Sequence, residues 1–413
     1  MPTITTTTLD CGATLVVEKN FAVQSLALHF LIPVGDAHDP IAHEGRAPMW
    51  SELLLRGAGD LDSRAQADAF DMLGATRSTN NTRLYTKLAS TMLADRFDDA
   101  SALLADTIRR PRFEQASFDA SRELCLQSLA SLADDPQERC VLGARAKHYP
   151  SPLNRSGMGT EAGLASLTRD GLAADWSRFA QPDGAILAIA GNIDPAHAAD
   201  RLNDLLNGWS GDRATMETGA DAPRGYHHEH DDAQQVQIIV VHDAPREPSA
   251  DVALERVLIG VLSGGMSSRL FTEVREKRGL CYSVNASYSP TKETGTVTAY
   301  VGTTPERAQE SLDVLCAELH RINGEAPITR EEFDRAVNGI KSRIVFSGES
   351  TRGRAASLAA DLHNRGSARS LDEIAAQIDA VTLESLNAYA ASRSLGTLTI
   401  QTVGPTPLTP PAP

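Results

Sequence analysis

Gly264-Gly265-Met266-Ser267-Ser268-Arg269-Leu270-Phe271-Thr272-Glu273-Val274-Arg275-Glu276-Lys277-Arg278-Gly279-Leu280-Cys281-Tyr282-Ser283 is the stretch on which the reading of this chain turns. Its two leading glycines close an apolar helical segment, residues 254–262. A helix is expected over 268–278 and Gly279 stops it, because glycine accepts the left-handed conformation in which many helices end. Residues 280–301 then read as strand, with Pro290 and Gly295 as turn signals. A helix follows from near Pro305, with Ala308, Leu312, Leu315 and Leu319 inward. Pro327 and the pair Thr329 and Glu332, spaced as a capping box, open a long helix that runs towards Ser347.

The first half of the chain carries the same order. A hydrophobic segment at 49–55 ends at Gly57, and a helix over 63–73 is expected with Ser63 as N-cap and Gly74 as stop. Strand-like sequence follows at 75–92. A helix then starts at Asp95 with Phe97, Ala100, Leu104 and Ile108 on one face. Pro111 breaks it, and a long helix carrying Phe118, Cys125, Leu129 and Leu132 comes next. Each half has a terminal strand, at 185–191 and 397–403, and a strand at 236–242 opens the second half. The repeated layout is that of two α+β domains of about 200 residues related by duplication. They span 1–207 and 233–404, joined by a polar, Gly-bearing linker at 208–232 that contains Arg224-Gly-Tyr-His-His-Glu-His-Asp-Asp232. A tail at 405–413 with five prolines is expected to be disordered.

Bulk composition narrows the function classes. Hydrophobic residues at 41% and charged residues at 23% are the balance of a globular protein, and the net charge is −15. That charge disfavours nucleic acid and anionic membrane surfaces as partners, since phosphate contacts need clustered Lys and Arg. No apolar run reaches the roughly 18 residues that cross a bilayer. The N-terminus lacks a basic segment followed by an apolar one, so no signal peptide is expected. The cytoplasm is the default compartment and the periplasm, reached by a processed export form, the alternative. Cys11, Cys125, Cys140, Cys281 and Cys316 are odd in number and never in CxxC spacing, and read as small buried hydrophobes. No P-loop, GxSxG or dinucleotide fingerprint occurs.

The 264–283 segment resembles the C-terminal domain of the insulinase/pitrilysin family of zinc peptidases, which includes the mitochondrial processing peptidases. The likeness extends over almost the whole chain: 45–57 lies where the family has its metal motif, and Ala190-Gly-Asn-Ile-Asp194 resembles its end-of-domain signature. Residues 142–167 are similar to its connecting segment. The resemblance implies two duplicated domains, each a mainly antiparallel sheet with helices packed on one face, forming half of a clamshell.

In active members of that family the motif is H-x-x-E-H on a helix. Two His at i and i+4 bind Zn²⁺ from one helix face and the Glu activates the metal's water. A further Glu about 76 residues beyond the second His completes three protein ligands and leaves a fourth position open. In Gly45-Arg-Ala-Pro-Met-Trp-Ser-Glu-Leu-Leu-Leu-Arg-Gly57 the first His position is Pro48, the base position Ser51 and the second His position Glu52. The distal Glu position is Ser128, and Ser121 stands where the family often has another Glu. Proline offers no side-chain donor atom and serine is a poor zinc ligand, so this chain is expected to bind no metal or other cofactor. His43-Glu44 lacks the second His of HExxH, and His227, His228, Glu229, His230, Asp231 and Asp232 read as a solvated linker or an adventitious metal-binding run.

The retained part is a pair. Active members resemble a two-part machine in which a distant domain supplies an Arg and a Tyr, seven residues apart, that bind substrate and stabilise the tetrahedral intermediate. On this sequence they map to Arg275 and Tyr282. The alternative is that Arg275 caps a helix end and Tyr282 packs in a strand. Gly264 and Gly265 form either a peptide-touching loop or a simple turn. The resemblance implies a non-catalytic subunit without peptidase activity of its own. It would lend Arg275 and Tyr282 to a homologous, H-x-x-E-H-bearing and zinc-binding partner in a heterodimer that cleaves peptides or unfolded segments. The other reading is a structural or binding protein of the same fold, like the core subunits of respiratory cytochrome bc complexes.

Overall fold

Long runs of Val, Ile, Leu and Ala without polar alternation, such as Val236-Gln-Ile-Ile-Val-Val-His242, suit strands buried on both faces. In the computed structural model, which describes residues 3–216, 219 and 221–411, such strands lie inside two separate sheets. The chain divides into two compact units. One comprises Met1–Ser131, Ser151–Gly219 and Ser347–Ser370, the other Leu132–Pro150, Ala220–Phe346 and Leu371–Pro413.

The first unit's strands are β1 (Thr3–Thr8), β2 (Thr14–Lys19), β3 (Ser25–Ile32), a small hairpin of β4 (Gly57–Ala58) and β5 (Leu61–Asp62), β6 (Thr76–Asn81), β7 (Thr86–Leu93) and β8 (Ile186–Gly191). The main sheet has the order β1-β2-β8-β3-β7-β6 and is antiparallel except for β2 beside β8. The second unit's are β9 (Gly225–His230), β10 (Val236–Asp243), β11 (Cys281–Pro290), β12 (Gly295–Thr303) and β13 (Thr399–Gly404). Their order is β11-β12-β10-β13-β9, with only β13 and β9 parallel. The architecture is the expected α+β one, in two sheet-bearing halves.

Leu26, Leu28, Phe30 and Ile32 of β3 point into the first unit's main core, beneath Met49, Trp50 and Leu53 of the helix Arg46–Leu53. The opposite face of that sheet is covered too. Val16, Ala27, Leu31 and Ala188 pack against Ala355, Leu358 and Ala359 of the helix Thr351–Arg365. In the second unit Ile239, Val241 and Val403 meet Cys140 and Ala144 of the helix Pro136–His148 in the same manner. Each sheet therefore has its main helical layer on one face and a single helix on the other. In both cases that single helix comes from sequence lying outside the run that supplies the sheet.

One ion pair closes the first of these outer layers. Arg354 Nε donates to both carboxylate oxygens of Glu18 at 3.0 and 3.1 Å, and Nη2 donates to the same carboxylate and to the Arg369 carbonyl at 3.1 Å. Arg354 is 3% and Glu18 6% exposed.

Several local expectations are corrected. The linker at 208–232 contains a strand: β9 pairs in parallel with β13, and Tyr226 and His228 meet the Thr402 hydroxyl at 3.0 and 2.9 Å. The N-cap of the helix Ser63–Met72 is Asp62, whose carboxylate accepts from the Ala65 N–H, and Ser63 is the first helical residue. Residues 75–92 form two strands, β6 and β7, joined by a turn at which the Thr82 N–H donates to the Tyr85 carbonyl. In the proline-rich tail, the Leu408 N–H donates to the Tyr226 hydroxyl, and Thr409 exchanges hydrogen bonds with the Gln309 amide at 2.8 and 2.9 Å. Prolines fix φ, so a short extended segment can be held by few contacts. Ala412 and Pro413 lie outside the described residues.

Arg354→Ala leaves the Glu18 carboxylate buried without a partner, so the first unit should lose about 3–5 kcal/mol of stability. Chemical denaturation should show this as a lower midpoint. The exposed pair Arg110 and Asp106, broken by Arg110→Ala, should cost about 0–1 kcal/mol.

Candidate functional site

The 264–283 segment lies wholly within the second unit. After the helix Val252–Ser263 the chain turns at Gly264 and Gly265, neither with positive φ, and enters a short helical run containing one π-helical turn, Phe271–Glu276. Such turns recur at functional sites. The helix expected at 268–278 is thus shorter and wider than an α-helix. Within it Phe271 and Arg275 share a face, and the Arg275 guanidinium stacks over the Phe271 ring at 4.9 Å from its centroid. Glu273 takes the neighbouring cations. Lys277 Nζ donates to one carboxylate oxygen at 2.7 Å and Arg278 Nη1 to the other at 2.8 Å, and together these hold the Glu273 carboxyl below its usual range. Among the described residues no carboxylate pairs with Arg275, which is exposed.

Tyr282 stands on β11, the edge strand of its sheet, at a β-bulge. Cys281 pairs with Thr303 and Ser283 with Gly302, so Tyr282 is the extra residue. Past the bulge the core-facing residues are Val284, Ala286 and Tyr288, and before it Cys281. An unbroken period of two would aim Tyr282 at the core along with Ala286. The bulge flips the phase, and Tyr282 emerges 75% exposed. The packing alternative for Tyr282 does not hold in this geometry. Among the described residues the exposed Arg275 guanidinium and Tyr282 hydroxyl meet no acceptor, and donors of these two kinds can meet a developing oxyanion. Phe271 and Glu273, which position and isolate Arg275, were not singled out from sequence. Their i, i+4 spacing to Arg275 and Lys277 was the available signal.

The other predicted positions lie in the first unit. Pro48, Ser51 and Glu52 sit on the helix Arg46–Leu53, and Ser128 on the helix Gln115–Ser131 packed against it. The metal-motif helix is anchored at its start by Asp39, whose carboxylate accepts from the Gly45 and Ala47 N–H groups at 3.2 Å and from Arg46 Nε at 3.3 Å. Burial pushes the Asp39 carboxyl up to about 6, against the pull of Arg46 and those N–H groups. The Ser51 hydroxyl is buried without a hydrogen-bond partner among the described residues. Glu52 pairs with Arg56 at 3.3 Å, and the exposed Ser128 hydroxyl donates to the Leu124 carbonyl at 2.9 Å. One carboxylate already engaged by an arginine, two hydroxyls and a proline do not make a zinc site. Among the described residues no group of three or more His, Cys, Asp and Glu is arranged to hold a metal ion.

Both halves match family models: residues 14–161 that of the insulinase family, peptidase family M16, and residues 166–340 that of the peptidase M16 inactive domain. The chain is 26% identical over 397 residues to an uncharacterized zinc protease of Bacillus subtilis, covering 93% of this chain and 94% of that protein. With an uncharacterized zinc protease of Streptomyces coelicolor the identity is 27% over 402 residues, covering 94% and 86%. Its fold is similar to the crystal structure of a peptidase M16 inactive domain from Pseudomonas fluorescens, at a TM-score of 0.88, 20% identity, and coverage of 99% and 100%. A chain in a structure of complex III from Candida albicans superposes at a TM-score of 0.84 with 16% identity, covering 97% and 96%. No helix among the described residues is long and apolar enough to cross a membrane.

Metal analysis of the purified chain after dialysis against a weak chelator should find far less than one zinc per chain. About one tightly held zinc would contradict the donor-set argument.

Proposed function

The chain belongs to the insulinase family, and from that premise we propose that it is the non-catalytic subunit of a heterodimeric zinc peptidase. Its partner is a homologous chain carrying H-x-x-E-H, and the zinc resides there, where it would supply an activated water. The observation that carries the reading is the contrast inside one short helical run: Lys277 and Arg278 are spent on Glu273, whereas Arg275 is left exposed beside a bulge that turns Tyr282 outward. The core needs an extra residue here to keep Cys281, Val284 and Ala286 inward, but it does not need that residue to be a tyrosine. A substrate carbonyl has a use for one, because two fixed donors can take up its negative charge as water adds.

In this reading the chain binds an extended or unfolded peptide, and Arg275 donates to the carbonyl oxygen with its orientation fixed by the Phe271 ring. The Tyr282 hydroxyl donates to the same group or to the adjacent backbone. The first unit keeps the metal-motif helix as a scaffold element. The cytoplasm is the proposed compartment. A scaffold role without proteolysis is the second reading, supported by the likeness to the Candida albicans complex III chain.

Mixed with its zinc-bearing partner, the chain should form a one-to-one complex whose turnover of a quenched peptide exceeds that of either subunit. Arg275→Ala and Tyr282→Phe should each lower turnover by about 10²-fold with assembly unchanged. The double variant should fall short of additivity, since both donors serve one group. Arg278→Ala should change turnover by much less. Normal assembly with wild-type turnover in both single variants would leave the scaffold reading standing.

A further inference from the structure

The second unit also carries a groove of about 260 Å³ between the loop 264–268 and one face of the helix Arg330–Gly348. Its floor is made by close approach of two helices: a Cβ added at Gly260 would lie 3.2 Å from the Ala336 Cβ. Along the helix face run Glu332, Arg335, Gly339 and Arg343, at helical spacing. The Arg343 guanidinium lies along this helix face: a Cβ at Gly339 would stand in ordinary contact with Nη1, at 3.7 Å.

The groove's charges are unbalanced. Its carboxylate, Glu332, is fully engaged: Arg269 Nε and Nη2 donate to its two oxygens at 2.7 and 2.9 Å, and the Thr329 N–H donates at 2.9 Å. Burial alone would raise the Glu332 carboxyl, but Arg269 and Thr329 hold it at about 2. Arg335 pairs at 2.6 Å with Glu331, whose side chain is 80% exposed, a contact that solvent weakens. Arg343 makes no ion pair or hydrogen bond among the described residues. Across the groove the backbone N–H groups of Gly265, Met266 and Ser267 likewise meet no acceptor among the described residues. In a chain of net charge −15, one groove is thus lined by a guanidinium without an ion-pair partner and by backbone N–H groups without an acceptor, among the described residues.

We infer that this groove receives a carboxylate of the bound peptide, held between Arg343 and the N–H groups of the 264–268 loop. The inference rests on the proposal that the chain binds peptides, and adds a substrate class to it: peptides carrying an acidic side chain or presenting a free C-terminus. A guanidinium and backbone N–H groups are the donors that bind carboxylates most strongly.

Fluorescence anisotropy on the full chain, without its partner, tests this with three labelled peptides of one sequence. One has a central Glu and an amidated end, one has Gln and an amidated end, and one has Gln and a free C-terminus. The Glu peptide, the free-ended peptide, or both should bind at least about tenfold tighter than the amidated Gln peptide, which decides between side chain and chain end. Arg343→Ala should reduce that preference to less than about twofold and Arg343→Lys should keep part of it. Because Arg343 is exposed, its variants should melt with the wild type. Equal binding of all three peptides, no binding of any, or a preference that survives Arg343→Ala overturns the assignment. Failure of the proposed subunit role reads differently: Arg275→Ala then leaves turnover of the complex unchanged while the Glu preference persists.

Discussion

Burial on both faces of the central strands is the constraint from which the rest of this fold follows. Every residue of β8 and β13 is buried, as is β10 up to its last residue. A strand of that composition cannot lie against water on either side, so each sheet needs two covers. The main helical layer supplies one. The other is a single helix, Thr351–Arg365 for the first sheet and Pro136–His148 for the second, set down on small residues such as Ala27, Ala188, Ala355 and Ala359. Helices this close to a sheet leave little room for water, and the polar groups beneath them must find partners in place. Glu18 and Arg354 do so across the first sheet's outer face, and His148 meets the Thr399 hydroxyl at 2.9 Å across the second's.

The same constraint shapes the candidate site through the position of β11. An edge strand has one ladder, so a bulge in it disturbs one set of hydrogen bonds instead of two. The core still demands Cys281, Val284 and Ala286, whose spacing does not fit a single period of two. The extra residue resolves the conflict, and that residue is Tyr282. The π-helical turn just before it widens the backbone over the same few residues. Two departures from regular geometry, one helical and one extended, thus flank Gly279 and bring an unpaired arginine and an outward tyrosine into one short segment. Glu273 completes the selection among three neighbouring cations by binding two of them.

Much of this was legible in the sequence, and the illegible parts have identifiable causes. Glycine stops, the Thr329 and Glu332 capping box, and the repeated element order are local signals, and the structure has them: the Thr329 hydroxyl accepts from the Glu332 N–H while Glu332 accepts from the Thr329 N–H. The expectation of helices on one face alone does not hold, because a helix such as Thr351–Arg365 declares its apolar face but not the sheet it covers. Unbroken runs such as Ala185-Ile-Leu-Ala-Ile-Ala-Gly191 did announce that a second cover was needed. The linker expectation fails at β9 because Tyr-His-His-Glu-His is a poor strand former. Its conformation is imposed by the free edge of β13, a long-range effect that propensity does not see. The bulge was legible in principle, since the apolar spacing from Cys281 to Val284 is odd where a regular strand requires it to be even.

What the fold uses and what it leaves unused separates the two sets of predicted positions. On the helix Arg46–Leu53 the packing residues Met49, Trp50 and Leu53 are wholly buried, and the helix survives although its metal-motif positions are Pro, Ser and Glu. Pro48 is tolerated because it is the third helical residue, where the backbone N–H has no acceptor within the helix and its loss costs nothing. The Ser51 hydroxyl is carried along without a partner. Glu52, at the second His position, is held in an ion pair with Arg56. Arg275 and Tyr282 present the reverse case. Neither fills the core, and among the described residues neither forms an ion pair or side-chain hydrogen bond; the bulge turns Tyr282 outward. Residues whose side chains the fold does not use are where a reason outside the chain has to be sought.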